Sequence, residues 1–152
     1  MRGKFAHELQ AGDRYEPLEF LVTSDLNQQF LYAVEDFAPI YIEGRDGSPP
    51  LVHPVLLMHM SPRTRSPSYR QAPGMGSAFA REHTRYLNPA YVGSRFTVTW
   101  TVTATYEQRS RIYQDYIAQI DDDRGRTILR RELASTFFML GKVKTPGLGA
   151  VP

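Results

Sequence analysis

The sequence predicts an α+β fold in which a curved antiparallel sheet wraps round a long buried helix. Residues 94–107, SRFTVTWTVTATYE, alternate apolar side chains with five threonines, which is the period of a strand. Residues 51–60, LVHPVLLMHM, are apolar nearly all round, as in a helix that is buried on more than one side. A buried helix followed by a run of long strands favours the α+β class.

The first predicted elements are a strand and a helix. Residues 15–22, YEPLEFLV, are rich in strand formers, and Pro17 favours an early or edge strand because proline has no N–H for a sheet ladder. Apolar residues then recur at helical spacing, which predicts a helix over about 25–36. The hydroxyl of Thr23 or Ser24 can cap its first turn, and Pro39 is expected to end it.

The buried helix lies between two irregular segments. Turn residues in GRDGSPP, 44–50, predict a loop before it. Pro54 is expected in the first helical turn, where a missing N–H costs least. Residues 61–76 predict a long irregular connection, and loops of this length are usually mobile or functional.

Three long strands follow in the second half of the chain. Residues 111–120 and 127–140 join 94–107, and Gly125 suits a hairpin turn between the last two strands. The whole of 1–141 is predicted to be one domain, with a flexible tail at 142–152. The inward face of the first long strand is predicted to carry Phe96, Val98, Trp100, Val102, Ala104 and Tyr106.

Composition excludes several functions. The chain has 152 residues, no cysteine and a formal net charge of +2, from 18 basic and 16 acidic residues. Thiol chemistry and disulfides are therefore excluded, and the near balance of charge argues against a nucleic acid partner. The longest apolar run is too short to span a bilayer, so a cytoplasmic protein without a membrane partner is expected. The four histidines are too scattered to predict a metal site, and no cofactor is expected.

The chain resembles the MaoC-like hydratase and dehydratase family of the hot-dog superfamily over most of residues 10–140. The resemblance rests on AGDRYEP, YAVEDFAPIY, LVHPVLLMHM and REHTRYLNPAYVGSRFTVTWTVTATYEQR, which occur in the family's order. It implies a hot-dog fold whose sheets pair edge to edge. A homodimer is therefore expected, with a heterodimer as the alternative.

The family's catalytic signature is Asp, any residue, Asn, Pro, a hydrophobic residue and His. Here the same register reads DFAPIY, so Asp36 and Pro39 match while Ala38 and Tyr41 replace the Asn and the His. The resemblance implies that Asp36 is the general base or acid. A tyrosine ordinarily has a pKa of about 10, so Tyr41 is expected to donate a proton or to polarise the substrate carbonyl. The alternatives are that Asp36 only caps or solvates the helix end and that Tyr41 only packs against its neighbours.

The start of the buried helix also departs from the family. Catalytic members commonly have a histidine and a glycine there, and a backbone N–H helps to hold the thioester oxygen; this chain has His53 and Pro54. Because proline has no N–H, Val55 or another donor at this helix end is expected to serve. His53 itself is a candidate for the missing catalytic histidine, and a satisfied structural histidine is the alternative.

Arg63 and Arg65 lie in the long connection. Arginine pairs well with phosphate, so both are candidates for contacts with coenzyme A or with the phosphopantetheine arm of a carrier protein. Ordinary solvent-facing loop residues are the alternative.

These features together predict a hydratase or dehydratase that acts at the β-position of an acyl thioester carried by coenzyme A or a carrier protein. The atypical motif favours a specialised substrate, as in secondary metabolism, or an intramolecular conjugate addition. The alternative is a non-catalytic acyl-binding subunit that completes a heterodimeric dehydratase. Thioester hydrolysis ranks third, since nothing in the loops singles out a nucleophile.

Overall fold

A computed structural model describes residues 3–141, so the predicted tail at 142–152 lies outside the described residues. The helices are α1 (Ser24–Val34), α2 (Pro39–Ile42) and α3 (Pro54–Met60), and 3-10 turns occur at Ala6–Glu8 and Arg63–Arg65. The strands are β1 (Leu18–Leu21), β2 (Met75–Tyr86), β3 (Arg95–Gln108), β4 (Arg111–Asp122) and β5 (Thr127–Met139).

The five strands form one antiparallel sheet in the order β1-β3-β4-β5-β2. The predicted edge position of the first strand is confirmed, since β1 lies at one end of the sheet and begins directly after Pro17. Strand β2 forms the other edge. It was largely missed, because Met75–Tyr86 is exposed along most of its length and lacks the apolar alternation by which a strand is predicted.

The core lies between the sheet and α3. Side chains on the inner face of β3 pack in one cluster with Leu56 and Leu57 of the helix. The predicted alternation of β3 holds as far as Val102, but a bulge between Val102 and Ala104 then shifts the register. Beyond the bulge, the Thr105 hydroxyl donates inward to the Leu9 carbonyl oxygen, and Tyr106, which was predicted to face the core, is exposed.

The buried helix is shorter than its apolar run. It has seven residues and begins at Pro54, as predicted for that proline. The preceding residues are extended instead of helical, since Leu51 forms an isolated bridge with Tyr91 and the Val52 N–H donates to the Ala90 carbonyl oxygen, 2.8 Å away. This extended entry delivers His53 to the N-terminal end of α3.

The other end of α3 is fixed to the inner face of the sheet. The Trp100 indole N–H donates to the Ser61 carbonyl oxygen over 2.7 Å, and the Arg131 guanidinium donates to the Met58 carbonyl oxygen over 3.2 Å. Arg131 is in turn paired with Glu82 of β2 at 2.7 Å. Helix α3 is therefore held at both ends. Over residues 3–141, none of the helices has the length and apolar character needed to cross a membrane.

Candidate active site

Asp36 is placed by the end of α1. The helix begins with the Thr23 hydroxyl accepting the Leu26 N–H, which confirms one of the two predicted caps, and it ends at Val34. Glu35 then adopts a left-handed conformation with φ of 55°, and the Asp36 N–H donates back to the Leu31 carbonyl oxygen. The Asp36 side chain therefore leaves the helix beside its last turn.

A short turn connects Asp36 to α2. Oδ1 of Asp36 accepts the Ala38 N–H over 3.1 Å, because an aspartate in a turn commonly accepts the backbone N–H of the residue two positions on. The prediction that Pro39 ends α1 is wrong, because the chain has already left that helix at Glu35. Pro39 instead opens α2, where its fixed φ and missing N–H suit the first helical position.

His53 is the N-cap of α3. Its Nδ1 accepts the Val55 N–H over 3.2 Å, which satisfies one of the unpaired donors of the first turn. The ring packs beside Phe30 and Tyr41, with centroid separations of 5.3 and 5.0 Å. Packing on two sides and the cap hydrogen bond fix the orientation of the imidazole.

The structure brings Asp36 and His53 together, with 3.2 Å between Oδ2 of the carboxylate and Nε2 of the ring. Because Nδ1 already accepts a hydrogen bond, the neutral ring carries its proton on Nε2 and donates it to Asp36. The His53 side chain is 10% exposed and that of Asp36 40% exposed. The carboxylate is thus the member of the pair that a substrate can reach.

Tyr41 lies next to this pair and lines an open cleft of about 450 Å³. Pro54, Leu57 and Leu87 contribute to the mostly apolar lining of the cleft. Within residues 3–141 the Tyr41 hydroxyl has no hydrogen-bond partner, so it remains available to a bound molecule. The cleft combines an apolar surface with an available hydroxyl donor, as ligand pockets commonly do.

The first turn of α3 does not offer the expected backbone donor. Pro54 has no N–H, the Val55 N–H is used by His53 Nδ1, and the Leu56 N–H donates to the His53 carbonyl oxygen. The expectation that Val55 supplies an open N–H is therefore not met. Side-chain hydroxyls are left as the donors nearest this helix end.

Tyr86 is a residue of this cleft that the sequence did not single out. Its hydroxyl donates to the Pro54 carbonyl oxygen over 3.0 Å. Burial raises the pKa of Tyr86, and nearby Arg131 opposes this only in part, so the phenol stays protonated at neutral pH. Nothing in the sequence near Tyr86 indicates this contact, which depends on β2 passing the start of α3.

The two arginines predicted to bind phosphate lie outside the cleft. Arg63 is 3% exposed, lies over the Tyr116 ring at 4.4 Å and donates to Gln114. The expectation of a solvent-facing loop arginine is wrong at this position, because the guanidinium is enclosed by aromatic rings. Arg65 is exposed, and its Nε donates to the His59 carbonyl oxygen.

The comparisons with known proteins place the fold. No protein-family model and no curated protein matches the sequence. Among solved structures, a monoamine oxidase regulatory protein from Archaeoglobus fulgidus matches with a TM-score of 0.73 and 17% identity, over 90% of this chain and 95% of its own. A MaoC-like dehydratase from Rhodospirillum rubrum matches with a TM-score of 0.71 and 20% identity, over 90% of this chain and 98% of its own.

A third match is the HadBC complex of Mycobacterium tuberculosis, a 3R-hydroxyacyl-ACP dehydratase. It has a TM-score of 0.69 and 11% identity, over 86% of this chain and 98% of that one. The matches span nearly the whole length of each structure. The chain has the hot-dog fold.

Within this hot-dog domain the candidate site lies where three segments meet: the end of α1, the α2 turn and the start of α3. Asp36, Tyr41, His53 and Pro54 are all found there, whereas Arg63 and Arg65 are not. In the part of the chain that the structure describes, no group of three or more acidic or histidine side chains could hold a metal ion. The carboxylate, imidazole and phenol side chains that meet at the site can transfer protons and form hydrogen bonds.

Proposed function

We propose that the chain is a MaoC-like hydratase or dehydratase that adds or removes water at the β-position of an acyl thioester. The observation that carries the proposal is the Asp36–His53 pair, with its carboxylate accessible and Tyr41 beside it. The shared fold of the R. rubrum MaoC-like dehydratase supports it. Carboxylate and imidazole side chains are the usual agents of general acid–base catalysis.

In the hydration direction, Asp36 removes a proton from water while the water oxygen bonds to the β-carbon of an enoyl thioester. The electron pair of the double bond moves toward the thioester carbonyl oxygen. Asp36 then returns the proton to the α-carbon, so the carboxylate is regenerated and no net proton is consumed. Dehydration follows the same steps in reverse.

His53 and Tyr41 have separate roles in this scheme. The Nε2–H of His53 orients the carboxylate and stabilises its charge, whereas in the family the histidine of the signature reaches the substrate together with the aspartate. Tyr41 donates its hydroxyl to the carbonyl oxygen as negative charge develops there. This assignment makes His53 the substitute for the missing histidine, while Tyr41 substitutes for the backbone donor that the start of α3 lacks.

The substrate is proposed to be an acyl group carried by coenzyme A or a carrier protein. The apolar cleft beside Tyr41 suits an acyl chain or the apolar part of the carrier arm. Because the cleft is open and of moderate size, it accommodates a substituted or branched acyl group, in keeping with a specialised substrate.

The assembly is proposed to use the free edge of β2, with a homodimer as the first candidate. Strand β2 pairs with β5 on one side, and a partner strand can add to its other side. Phe79 of this strand is 61% exposed, which favours coverage by a second chain.

The direct test is mass spectrometry of enoyl and 3-hydroxyacyl thioesters incubated with the protein in heavy water. The wild type should catalyse water addition or loss with deuterium incorporation at the α-carbon, and Asp36→Asn should abolish both. Asn retains the size of Asp and can still meet the Ala38 N–H, so loss of activity with an unchanged melting temperature identifies a chemical role. Equal activity of both proteins would refute the proposal.

A second candidate function is that of a non-catalytic acyl-binding subunit in a heterodimer. The observation that favours it is the start of α3, where Pro54 and the capped Val55 N–H leave no backbone donor for a thioester oxygen. The HadBC match carries the name of a complex between two chains. This function predicts that the purified protein alone is inactive on every thioester of the panel. It also predicts that activity appears when a partner subunit with the full signature is added.

A further inference from the structure

Asn27 is a buried polar residue that neither the signature nor the proposed chemistry uses. It lies in α1 on the same face as Leu31 and is 1% exposed. A buried amide is costly unless its donors and acceptor are all paired. Its hydrogen bonds therefore show what the position requires.

The Asn27 side chain bonds to three backbone groups. Its Nδ2 donates to the Tyr41 carbonyl oxygen over 3.1 Å and to the Leu51 carbonyl oxygen over 3.2 Å. Its Oδ1 accepts the His53 N–H over 3.1 Å. Both amide hydrogens and the carbonyl oxygen of one side chain are thus used.

These contacts tie together the segments that form the candidate site. Tyr41 lies in α2, Leu51 and His53 lie in the extended entry to α3, and Asn27 lies in the helix whose end carries Asp36. None of these three backbone groups is paired by the hydrogen bonds of a regular helix or strand. Buried groups of this kind need a side-chain partner.

We infer that Asn27 is a positioning residue that sets the approach of His53 and Tyr41 to Asp36. The inference rests on the proposed function. The 3.2 Å contact between Asp36 and His53 is near the long limit of a hydrogen bond, so a small shift of the α3 entry separates the pair. Misplacement of a catalytic group by about 1 Å can cost about 10²-fold in rate.

The chemistry of the contacts specifies an amide at this position. Aspartate of the same shape accepts the His53 N–H but has no hydrogen for the Tyr41 and Leu51 carbonyl oxygens. Asn27→Asp therefore keeps one contact and replaces two attractions with repulsions. Gln29→Glu is the matched control, since it makes the same amide-to-carboxylate change at an exposed position of the same helix.

In thioester turnover, Asn27→Asp should lower kcat about 10²-fold with much less change in KM, while Gln29→Glu retains wild-type values. A purely structural role would lower the apparent kcat only in proportion to the fraction of folded protein, so kcat is calculated per folded molecule, with the folded fraction taken from urea unfolding. Equal kcat for Asn27→Asp and the wild type would overturn the inference.

A second readout does not depend on turnover. In ¹⁵N-resolved NMR spectra, the His53 ring of the wild type should show a protonated Nε2 and an unprotonated Nδ1. Asn27→Asp should change this pattern and Gln29→Glu should not. If Asp36→Asn leaves activity intact, the proposed function fails, while the NMR result still decides whether Asn27 positions His53.

The wild type also provides a test for the case in which Asn27→Asp does not fold. Both Nδ2 hydrogens of Asn27 are bonded and buried, whereas Asn88 is exposed and its Nδ2 donates to a single carbonyl oxygen, that of Thr127. The Asn27 amide hydrogens should exchange with solvent at least about tenfold more slowly than those of Asn88. Equal exchange rates would contradict the bonded, buried amide on which the inference depends.

Discussion

The two ends of α3 carry similar pairs of side chains with different uses. At the N-terminal end His53 meets Asp36 at 3.2 Å, and at the C-terminal end Arg131 meets Glu82 at 2.7 Å. In each pair the basic side chain is buried, at 10% and 5% exposure, and the carboxylate is partly exposed, at 40% and 32%. Distance and burial alone do not distinguish a candidate active site from a structural ion pair.

The pairs differ in their ability to exchange a proton. Arg131 is permanently charged and donates to Met58, Ser61 and Glu82, so its hydrogens are committed to fixing the helix end. Burial raises the pKa of Glu82, but hydrogen bonds from Thr84 and Arg131 outweigh it, and the net pKa is lowered. The C-terminal pair therefore stays ionised near neutral pH.

The N-terminal pair has a different character. A carboxylate and an imidazole can both take up and release a proton, whereas a guanidinium does not. The Asp36 carboxylate is partly exposed, and the His53 ring packs beside Tyr41, which lines the cleft. The proposed function therefore assigns the chemistry to the N-terminal pair and a structural role to the C-terminal pair.

The largest effect on stability is expected at the C-terminal end. Arg131→Met should lower the free energy of unfolding by about 3–5 kcal/mol, because it leaves the Met58 and Ser61 groups and Glu82 without their partner. Urea unfolding measures the change. The remaining folded protein should retain its kcat. A stable Arg131→Met protein with no activity would reverse the assignment of the two ends.

At the N-terminal end, His53→Asn should lower kcat/KM about 10³-fold. Asparagine is a favoured N-cap and can accept the Val55 N–H, but it is too short to reach Asp36, so stability should fall only by the lost ring packing against Phe30 and Tyr41, about 1–2 kcal/mol. Steady-state kinetics and urea unfolding on one preparation measure both. A loss of stability without loss of activity would make His53 a structural cap only.

Removal of the Tyr41 hydroxyl is expected to have a smaller effect. Tyr41→Phe should lower kcat about 10²-fold, as expected for one donor to a developing oxyanion, and leave the fold intact because the hydroxyl has no partner within residues 3–141. Tyr86→Phe is the comparison variant, since the Tyr86 hydroxyl is already bonded to the Pro54 carbonyl oxygen. A larger loss for Tyr86→Phe would move the carbonyl contact to that residue.

The smallest effect concerns Tyr15, whose buried hydroxyl has no partner in the described chain. Burial raises its pKa to about 12, with Arg63 opposing this in part. Since an exposed tyrosine in the unfolded chain titrates near 10, ionisation of Tyr15 does not affect stability below about pH 10, and the free energy of unfolding falls as the pH rises from about 10 to about 12. At pH 11 the loss is about 1.4 kcal/mol.

Tyr15→Phe removes that titration and the unpaired hydroxyl. The variant should be more stable than the wild type by about 1 kcal/mol at pH 7. The difference should increase at pH 11. Urea unfolding at the two pH values measures it, and a variant less stable than the wild type at pH 7 would indicate that the hydroxyl has a partner.

The sequence predicted the parts of the fold whose side chains alternate or recur regularly. Strands β3 and β4 and helix α1 follow from such patterns, because one face of each is buried. Strand β5 is buried on both faces over much of its length, and its strand-forming residues and the turn at Gly125 predicted it instead. Strand β2 has no such pattern, since its side chains are mostly exposed. The bulge after Val102 was also missed, because a change of register does not alter the residue types around it.

The candidate site was predicted in part. The register of the family's signature indicated Asp36 and Tyr41, and the residue before Pro54 indicated His53 as an alternative. The contact between Asp36 and His53 joins residues 17 positions apart and depends on the left-handed Glu35 and the extended entry to α3. One feature of the sequence indicates Asn27, which is an amide four residues before Leu31 on the buried face of an amphipathic helix.

The most direct test of the account is a double-mutant cycle on kcat/KM with Asp36→Asn, His53→Asn and the combined variant. If the two residues act as one unit, the double variant should be no slower than Asp36→Asn alone, because His53 acts only through the carboxylate. Independent losses that multiply in the double variant would contradict the account, since they would mean that His53 acts on the substrate without Asp36.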